Sequence, residues 1–576
     1  MRYSDKLRPL AALGWRRGET LWVRAGIVLG ILGMAFSQQA PAWLWAKVAG
    51  ESGGERAEAI AADAAGNVYV AGWFNSSALT FGSTTLPSKG SADFFVVKYN
   101  TAGIPIWARS GGGPGWDWAR AIAVDGNGNV YVTGRFESDS LILGSDTLVR
   151  AGQQYDDIFV VKYDPNGNVL WARRAGGSDR DGSTGIATDG SGNVYVVGWF
   201  WSTSIAFGSI TLTNAGGTIP VDLFVAKYDP NGNVLWARRA GGSGVDVANR
   251  VAADAGGNIW VTGRFRSSSI SFGSTTLNNI GSDDIFVVKY DPGGNALWAK
   301  VAGGNGIDEA FGIAVDPGGN TYITGEHGSD VLAFSSTITL ANTGNYDFFI
   351  AKYDPNGNVL WAKGATGTGR EVAYGVAADA SGNVCVAGRF ESASLTFGPT
   401  TLTNQGNNDI FVVGYDENGN EQWAMSVGAS GSDVATGIAL EGGGNGYVAG
   451  AFESASVSFG ANTLNGFGST NAFVAKMGGL SSGMRGIARE SGSVRVYPDA
   501  SGSKRVMLEL GPGWEGEVGI ELYNSLGERV YVGQVSVAAA EAGGRWELNL
   551  TEMPAGVYVL HVHSREKATT LRLAVW

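Results

Sequence analysis

The chain is short of the residues on which most enzyme chemistry rests. It holds three His and one Cys in 576 residues, which rules out a disulfide framework within the chain and a His-based mechanism repeated along it. Charge is sparse too, at 16% of residues, and the balance is acidic, with a formal net charge of −12. That sign argues against nucleic acid and anionic membrane surfaces as partners. No apolar run reaches the ~20 residues a membrane-spanning helix requires.

One shorter run does stand out. Ala25 to Phe36 is apolar over 12 residues and follows Arg2, Lys6, Arg8, Arg16, Arg17 and Arg24. This is the pattern of a signal-peptide core, and Ala35 and Ser37 supply the small residues of a cleavage site after Ser37. Residues 1–37 are therefore expected to be a removed leader, leaving no transmembrane segment in the mature chain. They hold six basic and two acidic side chains, so the formal −12 becomes −16 without them.

What the chain has in quantity is Gly, 90 residues of it, and a period. The Trp-Ala pair recurs at Trp45, Trp107, Trp171, Trp236, Trp298, Trp361 and Trp423, at spacings of 62 to 65 residues. A Gly closing a GNVYVxG-like strand recurs seven times, from Gly72 to Gly450, and Asp-x-Phe-Val recurs from Asp93 to Asp409 with Asn471 in the last copy. Cys385 falls where most copies have Tyr, which reads as a small buried residue. Segments rich in Val, Ile, Tyr and Phe alternate with Asp/Asn/Gly turns, so the repeat is all-β. One copy reads as four strands: Gly185 to Asp189, Asn193 to Gly198, Asp222 to Tyr228 and Val234 to Arg239. About two dozen residues are inserted between the second and third.

A four-stranded meander of this kind is a propeller blade. The seventh copy lacks its Trp strand and the chain begins with one, Trp43 to Gly50, so the expected architecture is a seven-bladed β-propeller over 43–477 closed by its N-terminal strand. Ala stands two residues before the end of every first strand, which suits crowding at an axis. The motifs GIAVDxxGNVYVTG, DIFVVKYD and NGNVLWARxAGG resemble the bacterial seven-bladed β-propeller repeat family over residues 43–477.

A Gly/Ser-rich linker at 478–493 precedes a different all-β segment at 494–576. Its seven strand-like stretches suit a small immunoglobulin-like β-sandwich. Val496-Tyr497-Pro498, Leu522-Tyr523-Asn524-Ser525-Leu526-Gly527 and Met553-Pro554-Ala555-Gly556-Val557-Tyr558-Val559 resemble the C-terminal sorting domain of the type IX secretion system. Tyr497-Pro498-Asp499-Ala500 departs from the usual Tyr-Pro-Asn-Pro. The resemblance implies the type IX machinery as a partner and a secreted or outer-surface location.

Candidate site residues come from positions that recur. Eight residues before the end of each first strand stands an acid: Glu55, Asp117, Asp181, Asp246, Asp308, Glu371 and Asp433. The spacing places all seven in the loops between blades, around one mouth of the channel, as loop locks or as a ligand-binding ring. On the same face the residue after the second-strand Gly varies: Trp73, Arg135, Trp199, Arg264, Glu326, Arg389 and Ala451. Trp and Arg are common recognition residues.

No metal or cofactor is expected. The Asp-Pro-Asn-Gly-Asn turns lack the acids of a calcium loop, and His561 and His563 have no Cys or acid at ligand spacing. The residues point to a non-enzymatic binding or structural protein whose face meets a glycan, polymer or protein. An extracellular polysaccharide hydrolase or lyase is the competing class, and it requires two carboxylates in different environments.

Overall fold

The computed structural model describes residues 40–479, save 153–154, 218–219 and 442–443, together with seven strands between 494 and 575. The expected leader at 1–37 and residues 480–493 of the expected linker at 478–493 lie outside the described residues. Every described element is a strand.

Seven antiparallel four-stranded blades of a propeller follow one another along the chain, the second extended to a six-stranded sheet by a hairpin of the third. Blade one is Glu55–Ala62, Val68–Phe74, Asp93–Tyr99 and Pro105–Gly111, paired in that order. The seventh sheet takes Asp433–Leu440, Gly446–Phe452 and Asn471–Gly478 from the end of the repeat and Ala42–Ala49 from its beginning. Trp45 stands opposite Lys476 in that pairing. The insertion between second and third strands is a short hairpin, Ser204–Phe207 with Ile210–Thr213 in blade three. It reaches back to the fourth strand of the preceding blade, where Ala206 pairs with Gly176.

Apolar side chains alternate along the second and third strands and fill the spaces between blades. The core between blades one and two joins Tyr69, Ala71, Phe94 and Trp107 of the first to Ile122, Val132 and Phe159 of the second. The small residues of the first strand serve both sides, with Ala57 packed towards blade seven and Ala61 towards blade two. Ala is therefore demanded by blade–blade contact on two faces, where the sequence pattern pointed to crowding at an axis. Cys385 is buried in the core between blades six and seven, and burial pushes its thiol up.

Two kinds of turn hold each blade. Asp189 accepts the backbone N–H groups of Ser191 and Asn193, the Asn193 side chain and the Tyr195 hydroxyl, which fixes the hairpin between first and second strands. In the Asp-Pro-Asn-Gly-Asn turns between third and fourth strands, Asp164 and Asp229 do the same for Asn168 and Asn233. Hydrogen bonding of this sort is why Asx residues initiate turns.

The C-terminal strands form two antiparallel sheets. One orders Val494–Pro498, Arg505–Leu510 and Arg545–Asn549. The other orders Arg529–Val537, Gly516–Tyr523, Gly556–His563 and Ala568–Val575.

Every first strand carries a β-bulge, and it explains the invariant second-strand Gly. In blade four the register shifts between Ala248 and Arg250, which brings the Val247 carbonyl over Gly263. A Cβ at Gly263 would stand 2.0 Å from that oxygen. Gly263→Ala is expected to lower stability by roughly 1–3 kcal/mol. Gly126→Ala, with nothing within 4 Å of its Cβ, is expected to be near neutral. Denaturant unfolding of the two variants checks both.

Candidate functional site

The seven acids open the first strands and are fully buried. The spacing had placed them in loops at the channel mouth, because the bulge three residues later interrupts the alternation that marks a strand. Asp117 accepts the Ser138 hydroxyl at 2.6 Å and the Gly113 N–H at 2.8 Å. Asp181 accepts the Ser202 hydroxyl and the Gly177 N–H, each at 2.8 Å. Ser267, Ser329, Ser392 and Ser454 repeat the contact for Asp246, Asp308, Glu371 and Asp433. Glu55 accepts the Glu51 N–H at 3.1 Å. Each acid thus ties the loop entering its blade to the turn after the second strand, and the seven do not share a site.

In six blades the acid opening the next blade is met by a second buried acid at the start of the third strand; blade seven has Asn471 there. Asp93, Asp157, Asp222, Asp284, Asp347 and Asp409 hold this place, and each has its Oδ1 buried without a partner. Desolvation, opposed in part by the Ser and backbone hydrogen bonds, drives the first set upward: Asp117 to about 6, Asp181 to about 7 and Glu371 to about 7. Charges on Asp93, Asp157 and Asp347 add to the rise. Hydrogen bonds alone would lower a lock of this kind; burial reverses the sign.

The variable residues are placed differently. Trp73, Arg135, Trp199, Arg264 and Arg389 are half-buried, whereas Glu326 and Ala451 are buried. Across the ladder they face the residue after the acid: Arg56, Trp118, Gly182, Val247 and Val372 for the five half-buried ones. Gly182 is the floor under Trp199, since a Cβ there would approach the indole to 2.8 Å. Arg264 reaches Asp283 and Glu309, and Arg389 reaches Glu391 and Tyr374.

A third set of positions was not visible in the sequence. The bulged residue of each first strand is Glu58, Arg120, Thr184, Asn249, Phe311, Tyr374 or Thr436. A bulge re-aims its side chain out of the sheet, and here it reaches the neighbouring innermost strand. Thr184 donates to the Ala248 carbonyl, Asn249 to Ala310 and Thr436 to Ala57. Glu58 meets Arg120 at 3.4 Å, and the Phe311 and Tyr374 rings lie 5.4 Å apart. These side chains make a collar around the axis, polar on one side and aromatic on the other. The one sequence signal was variability three residues after an otherwise constant acid.

Collar and face join in blades one and two. Glu58 accepts the Trp73 indole N–H at 2.9 Å and lies 3.3 Å from Arg56. Trp118 lies 6.3 Å from Trp73 and 5.6 Å from Trp116, with the Arg135 guanidinium 4.1 Å above its ring. Trp116 is 38% exposed. The result is a Trp and Arg platform beside the axis. Elsewhere a groove of about 460 Å³ lies on the outer rim, lined by Leu170, Trp171 and Arg173 among others. Among the described residues no group of three or more His, Cys, Asp or Glu could hold a metal ion, and no helix is long and apolar enough to cross a membrane.

A family model described as Beta-propeller repeat matches residues 106–135 and 170–205. Over those stretches the chain is similar to that family. An uncharacterized WD repeat-containing protein of Acanthamoeba polyphaga mimivirus is 26% identical over 505 residues, covering 72% of this chain and 36% of that one. The regulatory protein FlaEY of Caulobacter vibrioides is 29% identical over 139 residues, 24% of this chain and 14% of its own. The chain thus spans about a third or less of the length of the curated relatives it matches. Among solved structures, a puromycin hydrolase mutant complexed with PGG overlaps 80% of this chain and 59% of its own, at 11% identity and a TM-score of 0.35. A Synechocystis apocarotenoid oxygenase mutant overlaps 76% and 93%, at 10% identity and 0.32. At those values neither says anything of this chain's chemistry.

The buried acids give the propeller a pH dependence of defined sign. A carboxyl whose folded pKa is raised adds stability in full below its unfolded value, about 4, and loses it as pH rises through the folded value. For Asp117, Asp181 and Glu371 that window runs from about 4 to about 7. The turn acid Asp291 works the other way, since hydrogen bonds from the Asn295 side chain and amide hold it below the usual carboxylate range. Its contribution is lost as pH falls. The melting temperature is therefore expected to peak at about pH 4–5 and to fall towards neutrality, and Asp181→Asn should flatten part of that decline. Calorimetric melts across pH check both.

Proposed function

We propose that this is an exported, non-enzymatic binding module whose propeller face takes a glycan. The observation that carries the reading is the platform of half-buried Trp73, Trp118 and Arg135 and exposed Trp116 beside the axis. Every hydrogen-bonded lock around it is regular, while the residues of the platform and collar differ from blade to blade. Indole faces match the apolar faces of sugar rings, and charged neighbours fix orientation. A hydrolase or lyase would need a raised carboxyl within reach of substrate. The raised first-strand carboxyls Asp117, Asp181 and Glu371 are fully buried and held by Ser, so none of these three supplies it.

The rest of the chain fits that role. In this reading residues 1–37 are the leader, and 494–576 form an immunoglobulin-like sandwich that hands the protein to a type IX secretion machinery for release or display at the outer surface. The ring is closed by its N-terminal strand. The pairing of Ala42–Ala49 with Asn471–Gly478 supports this, as does the Trp45 indole donating to the Thr101 carbonyl of blade one at 3.0 Å. Deleting residues 41–50 is expected to lower the melting temperature far more than deleting 494–576. Equal losses would count against closure.

The binding reading is tested with the full chain on a glycan array, beside a reducing-sugar release assay on polysaccharides. Trp116→Ala should weaken the strongest glycan by about tenfold, roughly 1.4 kcal/mol, without shifting the melting temperature. Sugar release, or binding indifferent to Trp116, would reject it. A periplasmic reporter fused to 494–576 should appear outside cells that carry a type IX system; retention would remove the export assignment alone.

A further inference from the structure

Position 250 departs from a rule that the other innermost strands keep. The residue after the bulge is Ala59, Ala121, Gly185, Gly312, Gly375 or Gly437 in six blades, and Arg250 in blade four. Crowding explains the six. A Cβ at Gly375 would stand 2.9 Å from the Ile438 backbone nitrogen. Packing alone gives no reason for a long cation there, and a sequence that breaks its own local rule marks a place to look for function.

The Arg250 guanidinium is incompletely used. Its Nη1 donates to the Thr184 carbonyl at 2.5 Å and to the Asn249 carbonyl at 3.0 Å. Among the described residues no carboxylate forms an ion pair with it. Burial lowers its pKa to about 10, with Glu58 of blade one acting to raise it and Arg120 of blade two to lower it. Side chains from blades one, two and four feel one another in this way because all three face the common axis.

The collar around Arg250 carries an excess of positive charge. Glu58 already serves Trp73, Arg56 and Arg120. Glu309, the other carboxylate on this side, is taken by Arg264 at 3.2 Å and by the Asn249 amide at 2.9 Å. Arg264 also takes Asp283, so Arg56, Arg120 and Arg250 are left with Glu58 alone, in a chain whose net charge is −12. An unbalanced guanidinium with spare donors at a partly desolvated site is matched by an oxyanion. Trp118, with Arg120 5.1 Å and Arg135 4.1 Å from its ring, lies alongside.

We propose that the axial collar receives the anionic group of an acidic saccharide, a carboxylate or sulfate, on Arg250 and Arg120, with the sugar ring resting on Trp118 and Trp116. The inference rests on the glycan-binding reading of this face and adds the charge of the ligand and the residue that selects it. Arg250 uses its Nε and Nη2 for the oxyanion while Nη1 keeps its two backbone contacts. Glu58 holds Arg56 and Arg120 in place and repels a ligand that offers a second acid at the wrong depth.

The test is calorimetric titration of the full chain with trigalacturonate, a sulfated galactose trisaccharide and neutral galactotriose. At least one acidic trisaccharide is expected to bind ten times more tightly than the neutral one or better, and the tighter arm identifies the anion. Arg250→Gln should cost that sugar at least tenfold, Arg250→Lys less, and Lys89→Gln, on an exposed insertion, nothing. Wild-type affinity should also fall at least threefold between 50 and 300 mM salt, a readout that survives if Arg250→Gln fails to fold. Equal affinity for neutral and acidic sugars, or no effect of Arg250→Gln in a folded variant, overturns this inference and leaves glycan binding standing. Failure of all three sugars overturns both.

Discussion

The propeller depends on one contact repeated at the blade junctions: the fourth-strand indole of one blade set into the turn of the next. Trp107, Trp171, Trp236 and Trp298 donate Nε1–H to the carbonyls of Pro165, Pro230, Pro292 and Pro355 at 3.0 to 3.1 Å, and Trp361 does so to Glu417. Beneath each ring lies the turn Gly. Gly167, with φ +79°, has no room for a Cβ, which would come 2.8 Å from the Trp107 ring. Arg109, Arg173 and Arg238 then lie over the same indoles and donate to the turn carbonyls beyond. The Asp-Pro-Asn-Gly-Asn turn is thus a socket as much as a hairpin. Its Pro offers a carbonyl, its Gly offers space, and its Asp holds the shape.

A clamp of this kind makes the blades interchangeable at the rim and leaves freedom at the axis. Sheets fixed at their outer edges and packed through Val, Ile, Phe and Tyr have their relative angles set before the innermost strand is considered. The bulge then turns one side chain per blade towards its neighbour, and its identity is bound by no rim contact. That is why Glu58, Arg120, Thr184, Asn249, Phe311, Tyr374 and Thr436 differ in chemistry while their surroundings repeat. A symmetric scaffold thereby presents an asymmetric surface, which selective recognition needs.

Burying an acid at each junction has a cost that the hydrogen bonds only partly offset. Ser138, Ser202 and their equivalents satisfy one carboxylate oxygen of the first-strand acid, yet the third-strand acid beside it keeps an oxygen without a partner in six blades. A shared shortage of donors between two nearby carboxyls favours the protonated form of one of them. The junctions are therefore coupled to pH by the same residues that fix the loops bearing the face.

The sequence by itself determined the blade number and the strand order, because turn residues and alternation are local properties that recur at 62 to 65 residues. It also marked Trp73, Arg135, Trp199, Arg264 and Arg389 as one equivalent set. It could not place the seven acids. A bulge inserts one residue into the alternation, so the stretch from Asp117 to Ala119 looks like loop when read alone and becomes strand only when paired with Gly134 to Phe136. For the same reason Glu58 and Arg120 showed in the sequence only as variable positions, since which residue a bulge turns out is decided by the register of the neighbouring strand. Arg250 was legible as an oddity among copies. Its meaning came from the axis, where residues far apart along the chain share one space and their charges no longer balance.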